Sequence, residues 1–363
     1  MKRRGRPKDT WKWATPKMKQ SLLFPNQKKL AEYPKDRLTY SQDWEAYNKA
    51  KTREKYLFIR LVSELIQEIY PEEIKQKRVG SPNLSFNEML FAVLIREYCG
   101  YASRKTVSEL RMARDMKLIT TVPHFNSISN FLKNKELYKD LQKMIIISAL
   151  PLSKVETHIA TDSSGFNVSP YEQWMRHKWG SKKGKSRGWI KAHIAIGAKT
   201  QIICAVEVTN NHVGDSPMFT PLFQTYSKYF ECKELSADKA YSSKANIQMS
   251  VDEGITPFIP FRDTANPYGF RTPSSWISMY QYFKRRESEF MRHYHQRSKV
   301  ETAFSMIKKR LGSRIRSKYL VSQKNELLCR FIVHNITVLI QEMFELGIEI
   351  DFFRAKQILA QKC

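Results

Sequence analysis

Acidic residues are scarce in this 363-residue chain. Asp and Glu number 35 against 62 Lys and Arg, for a net charge of +27. That imbalance argues against an acid-rich surface and points to a polyanionic partner, most simply nucleic acid. Cysteine is also sparse. The five, Cys99, Cys204, Cys232, Cys329 and Cys363, are scattered, odd in number and without C-x-x-C spacing. This excludes a disulfide framework and argues against a structural zinc site. Reduced thiols in a cytosolic compartment are the expectation. No apolar run approaches about 18 residues, so no transmembrane helix and no membrane partner are expected. No apolar stretch follows the basic N-terminus, which speaks against a signal peptide. Internal repeats and low-complexity tracts are absent.

What is present changes character along the chain. Residues 1–40 are polar, basic and proline-bearing, the composition of an arm that is disordered when free. Arg4-Gly5-Arg6-Pro7, flanked by Lys2, Arg3 and Lys8, reads either as an AT-hook or as a generic basic tail. In the first case Arg4 and Arg6 would enter the narrow minor groove of A·T-rich DNA. Residues 41–150 read as a small all-helical domain. One helix spans 43–70 and stops at Pro71; a second, Glu88–Tyr98, opens on the capping box Ser85-Phe-Asn-Glu88 and ends at Gly100. Ser103 can cap a third helix, and a fourth starts near Ser127. Short helices with tight turns suit a helix-turn-helix DNA reader, or equally a dimerisation or packing domain.

From residue 155 the pattern becomes that of strands. Val155–Thr161 is expected as the first strand, ending at Asp162. A loop follows, Arg176–Lys191, rich in glycine, tryptophan and cations including Lys182, Lys183, Lys185 and Arg187. Cations beside free rings suit a DNA strand, although a solvated loop would have the same composition. Ile190, Ala192, Ile194 and Ile196 alternate, giving a strand over 189–197 with one buried face. Ile202–Val208 pairs with it as a hairpin. Then come a helix over 216–229, a short strand Glu234–Ala237 ending at Asp238, a helix over 244–253 and an edge strand over 256–261. The expected architecture is α/β: a mixed five-stranded sheet flanked by helices, preceded by the small helical domain. A further apolar helix over 323–346 is expected in the core, and 351–363 reads as a C-terminal tail.

The segment Tyr294–Lys308 reads as one amphipathic helix. At about 100° per residue, Tyr294, Arg297, Glu301 and Lys308 fall within roughly 60° of one another. Val300, Phe304 and Ile307 form its apolar side. A plain reading makes Arg297 and Glu301 an exposed i,i+4 pair. A chemical reading brings Asp162, Asp238 and Glu301 together at adjacent strand ends. Three converging carboxylates repel unless cations lie between them. An all-oxygen site suits Mg²⁺ or Mn²⁺, and two such ions serve phosphodiester chemistry. His293 and His295 read as surface or phosphate-facing residues rather than metal ligands.

These motifs resemble those of DDE transposases of prokaryotic insertion sequences. ATDSSGF around Asp162 and LSADKAYSS around Asp238 resemble the family's two aspartate motifs. Tyr294-x2-Arg297-x3-Glu301-x6-Lys308 matches the spacing of the Y-R-E-K signature. The segment 80–132 resembles the family's helical N-terminal domain. The short span between Asp238 and Glu301 lacks the large β-rich insertion of some relatives. The resemblance implies a ribonuclease H-like catalytic domain over 151–350, with Asp162, Asp238 and Glu301 binding two Mg²⁺ or Mn²⁺ ions. It implies that Tyr294, Arg297 and Lys308 hold the phosphates of the element ends, and that a homodimer acts on double-stranded DNA. Strand cleavage and transfer to target DNA would follow. A domesticated relative that binds DNA without cutting it is the alternative.

Overall fold

A computed structural model describes residues 43–71, 84–168, 188–267, 269 and 271–362. The arm with Arg4 and Arg6, and the loop with Lys182, Lys183, Lys185 and Arg187, lie outside the described residues. The helical part comprises α1 (Trp44–Ile69), α2 (Phe86–Cys99), α3 (Ser103–Asp115), α4 (Phe125–Phe131) and α5 (Leu137–Ala149). The Ser85 hydroxyl caps α2 by accepting from the Glu88 N–H, and Gly100 closes it at φ 65°. Only half of the expected capping box forms. Glu88 turns away and accepts instead from the N–H groups of Thr120 and Thr121, at 2.7 and 3.1 Å, and from the Thr120 hydroxyl at 2.6 Å. Ser103 is not a cap. Ala102 holds that position with no side-chain bond, so Ser103 is the first helical residue of α3.

The sheet contains β1 (His158–Asn167), β2 (Trp189–Gly197), β3 (Ile203–Asn210), β4 (Glu234–Ala237) and β5 (Thr256–Phe258), in spatial order β3-β2-β1-β4-β5. β1 pairs antiparallel with β2 and parallel with β4; β4 pairs parallel with the edge strand β5. β1 differs from its expected span. It begins at His158 and runs through Asp162, which sits mid-strand rather than at an end. The cause is an unequal pair of neighbours. β4 pairs only as far as Ala237, opposite Thr161, whereas β2 stays paired to Asn167. Asp162 and Asp238 are therefore the first residues past the parallel ladder. Gly165 is needed where β1 continues, because a Cβ there would lie 2.8 Å from the Trp189 ring.

β2 was expected to bury one face. His193 and Ala195 are as fully buried as Ile194 and Ile196. Both faces are covered, as in sheets with helices on either side. α6 (Ser216–Tyr226) packs on β2 and β3, while α5 and α11 (Leu320–Glu345) pack on β3. α11 is the central helix. Asn335 on it donates to the carbonyls of Ile145 and Ile203, at 3.3 and 2.9 Å, and accepts from the Ile203 N–H at 2.9 Å. α11 also packs against α1 and α2, so the helical part and the sheet share one apolar cluster. By length and composition α11 could cross a membrane, although no segment was expected to qualify. Of its most apolar stretch, 83% is buried inside the protein, and that packing accounts for the apolarity.

Three further helices follow α6: α7 (Lys244–Asp252), α8 (Ser274–Arg285) and α9 (Glu287–Tyr294). The expected single helix from Tyr294 to Lys308 is broken. α9 ends at Tyr294, a 3₁₀ turn spans His295–Arg297, and α10 covers Ser298–Leu311. Two apolar anchors account for the break. Phe290 of α9 belongs to a separate cluster with Ile247, Phe258 and Trp276. Val300, Ala303, Phe304 and Ile307 of α10 belong to the main core. A 3₁₀ turn, tighter than an α-turn, lets each helix face its own cluster. The last helix, α12 (Phe352–Gln361), stands where a tail was expected and packs on α1 and α5.

Candidate active site

Three elements meet where β4 stops. Asp162 comes from β1, Asp238 from the residue after β4, and Glu301 from the first turn of α10. The Arg297 guanidinium donates to Asp162 Oδ2 through Nη1 and to Glu301 Oε1 through Nη2, the latter at 2.6 Å. One cation thus joins the strand acid to the helix acid. The plain i,i+4 pair is present, but it is half of a three-residue bridge. Asp162 also accepts from the Ser163 N–H at 2.8 Å, and Asp238 accepts from the Lys239 N–H at 2.6 Å.

The titration of Asp162 reports this crowding. Burial pushes its carboxyl up. The Ser163 N–H and Arg297 oppose that, while the charges of Asp238 and Glu301 add to it. Asp162 is therefore close enough to feel both other acids. Burial works against the Arg297 charge, but Asp162 first, then Tyr294 and Glu301, outweigh it and push the guanidinium up. Lys308 donates to the Ser164 hydroxyl at 2.7 Å and lies 5.0 Å above the Phe166 ring; burial pulls its ammonium down. Tyr294 lies beside Arg297, 5.8 Å from guanidinium to ring centre, despite the helix break. Asp162, Ser164, Glu301, Lys308 and Lys309 line one open cleft of about 440 Å³.

Several participants escaped the sequence reading. Ser163 and Ser164 adjoin the aspartate, and their alternation along β1 was masked by ending that strand too early. Tyr241, three residues past Asp238, is fully buried. Burial raises its phenol well above its ordinary value, and the charges of Asp215, Asp162 and Asp238 raise it further. His293 does not face a phosphate surface. Its Nδ1 lies 2.8 Å from Glu234, its ring stacks on Phe258, and its carbonyl accepts from the Ser236 hydroxyl. These contacts fix the end of α9, and with it Tyr294, onto β4.

The donors suit a hard cation, since all are carboxylate oxygens. Among the described residues, no three His, Cys, Asp or Glu side chains stand close enough to form a ready metal cluster. The Arg297 bridge is the reason visible here: its guanidinium uses oxygens of Asp162 and Glu301 that an ion would need.

Residues 153–336, half of the chain, match the family described as Transposase DDE domain. The chain belongs to that family: it is a DDE transposase. Among solved structures, a piggyBac transposase synaptic complex with hairpin DNA, determined by cryo-EM, is 12% identical with a TM-score of 0.41. That match covers 85% of this chain and 78% of the other.

Proposed function

We propose that the chain is the transposase of a prokaryotic insertion sequence, acting in the cytoplasm on the ends of its own element. Its reaction is metal-dependent strand cleavage followed by transfer of the freed 3′ end to target DNA. The observation that carries this reading is the gathering of Asp162, Asp238 and Glu301 at one end of the sheet, beside Arg297 and Lys308. The strand order, three antiparallel neighbours continued by two parallel ones, supports reading the sheet as ribonuclease H-like. The net charge of +27 supports a DNA partner.

Asp162, Asp238 and Glu301 would hold Mg²⁺ or Mn²⁺, with Arg297 moving off the acids. Bound there, such ions supply an activated attacking oxygen and charge for the leaving one. The remaining work falls to the chain's own residues. Lys308, seated between Ser164 and two aromatic rings, presents a fixed cation to a backbone phosphate. Arg297, once free of the carboxylates, offers a planar fork that matches a phosphate. Tyr294 stands beside it as a hydroxyl donor.

Glu301→Gln tests the reading. It keeps side-chain volume and removes the charge that a metal needs. Cleavage of element ends should fall by about three orders of magnitude or more. End binding in a gel-shift assay should hold or improve, as carboxylate–phosphate repulsion is lost. Near-normal nicking by this variant, or full cleavage by the unaltered protein in excess chelator, removes the metal assignment.

A further inference from the structure

A second polar pocket lies away from the acids, between the helical part and the start of α11. Its volume is about 390 Å³, and among the described residues no carboxylate lines it. Two helices begin at its wall. α3 starts after Ala102 and α11 after Tyr319, and neither start carries a side-chain cap. The first backbone N–H groups of a helix have no acceptor within it, and their dipoles sum to a partial positive charge. Here two such ends, each of a long helix, open on the same space. Lys133, Arg316 and Lys318 stand around it, all exposed. The Arg316 guanidinium is committed to the Tyr101 carbonyl, which ties the turn before α3 to the segment before α11.

The floor of the pocket carries an independent sign of a ligand. Ser322, in the first turn of α11, is 3% exposed, and among the described residues its hydroxyl has no hydrogen-bond partner. A buried hydroxyl left unpaired costs about 1–3 kcal/mol, so native structures rarely retain one without use. At this floor its natural acceptor partner is an anion entering from the open side. Ser103 and Ser129, whose hydroxyls share a hydrogen bond at 3.5 Å, leave one more hydroxyl hydrogen to donate at the rim.

We propose that this pocket binds one backbone phosphate of DNA, separately from the phosphates at the catalytic cleft. The chemistry is that of anion sites at helix N-termini, doubled and furnished with cations and hydroxyls. The choice of a nucleic-acid phosphate over a free one follows from Tyr319. Its ring is 61% exposed at the pocket rim, with the Lys133 ammonium 5.3 Å from the ring centre. A free ring beside a phosphate site offers a surface for a sugar or base. This choice of source rests on the DNA reading above; the anion site itself does not.

The test uses the full chain and two probes, inorganic phosphate and a mixed-sequence DNA duplex. Ser322→Ala and the double variant Lys133→Ala/Lys318→Ala are compared with the unaltered protein. Phosphate should raise the melting temperature of the unaltered protein, with binding measured by calorimetry. Ser322→Ala should weaken that binding several-fold. Without phosphate, the same variant should melt at an equal or higher temperature, because it removes an unpaired buried hydroxyl. A serine with a merely structural role would not give that pair of results. For the double variant, the slope of log affinity for the duplex against log salt should be shallower by about one. Phosphate binding that Ser322→Ala weakens, with an unchanged salt slope, would overturn the DNA source and leave a free-phosphate site. Absence of phosphate binding with an unchanged slope would overturn the pocket while duplex binding stands. Failure of the unaltered protein to bind any duplex would instead overturn the proposed function.

Discussion

The chain builds two arginine–carboxylate networks from the same groups and puts them to opposite uses. In the interior, Arg330 on α11 donates to Glu97 at 3.0 Å, to Glu326 at 2.7 Å, and to the carbonyls of Gly312 and Arg314. Arg96 completes the group, 2.7 Å from Glu97 and 3.1 Å from Glu326. All four side chains are buried, and two cations balance two anions. At the cleft, Arg297 also bridges two acids, but Glu301 is 60% exposed and Asp238 adds a third negative charge. The interior network is closed: all three nitrogens of the Arg330 guanidinium donate. In the cleft, a single bridging cation, Arg297, serves the acids while Lys308 and Lys309 line the wall without pairing to them in the described contacts, and the site faces solvent. A saturated, neutral network fixes structure. An undersaturated one leaves charge for an incoming cation or phosphate to answer. Burial and stoichiometry, rather than residue type, separate the two roles.

The strongest way to break this contrast is at Arg330. Arg330→Met removes the interior fork and leaves two buried carboxylates sharing the single cation of Arg96. Removing one partner of a buried pair costs about 3–5 kcal/mol, and urea denaturation should read a loss of that size. A loss below about 1 kcal/mol would mean that the interior group is as dispensable as a surface pair.

A smaller effect sharpens the comparison from the side of the acid. Glu342 on α11 is buried without an arginine bridge among the described contacts. Burial, with the charges of Glu345 and Glu156, pushes its carboxyl up from 4.5 to about 7, against Lys199. The folded state therefore holds this proton more tightly than the unfolded chain. Stability falls as pH rises from about 4.5 to about 7. Glu342→Gln should abolish that loss. Its melting temperature should exceed the parent's by a few degrees at pH 8 and match it at pH 4. An equal gain at both pH values would assign the effect to packing instead of charge.

The same contrast shows what could be read from the sequence. The nearness of Asp162 to Asp238 and Glu301 was legible because each lies beside a recognisable period: strands before the aspartates, helical spacing around the glutamate. That β1 and β4 lie side by side was expected from the sequence; that they pair in parallel came from the structure. The length of β1 was not, because it depends on β2 outlasting β4 as a neighbour, a fact of register. The break after Tyr294 was illegible for a similar reason. Four residues at helical spacing look the same whether or not a 3₁₀ turn re-aims them, and only the separate clusters around Phe290 and Phe304 decide. The interior network was beyond reach. Glu97, Glu326 and Arg330 are ordinary helix residues until tertiary packing brings α2 against α11. Arg297 was read as a ligand for phosphate. In this structure it binds the chain's own acids, a pairing across 135 residues that no local pattern encodes.

The smallest expected effect is the most discriminating, because it places one substitution in both networks. Arginine to lysine keeps the charge and loses the planar fork, so a bidentate bridge becomes a single contact. At Arg330 the lost hydrogen bonds lie in the interior, where carbonyls of Gly312 and Arg314 would be left without a donor. At Arg297 water can reach Glu301, and the lysine can still answer Asp162. The pair with Glu301, which is 60% exposed, is worth about 1 kcal/mol or less, and the less exposed pair with Asp162 keeps its charge in the lysine variant. Arg297→Lys should therefore shift the urea midpoint by no more than about 1 kcal/mol, well under the shift for Arg330→Lys. In 1 M salt the Arg297→Lys difference should shrink further, since the Debye length falls to about 3 Å, while the Arg330→Lys difference holds. If both variants lose equal stability with equal salt dependence, the cleft bridge is a structural network like the interior one. Its arginine would then not be free to leave the acids for a phosphate.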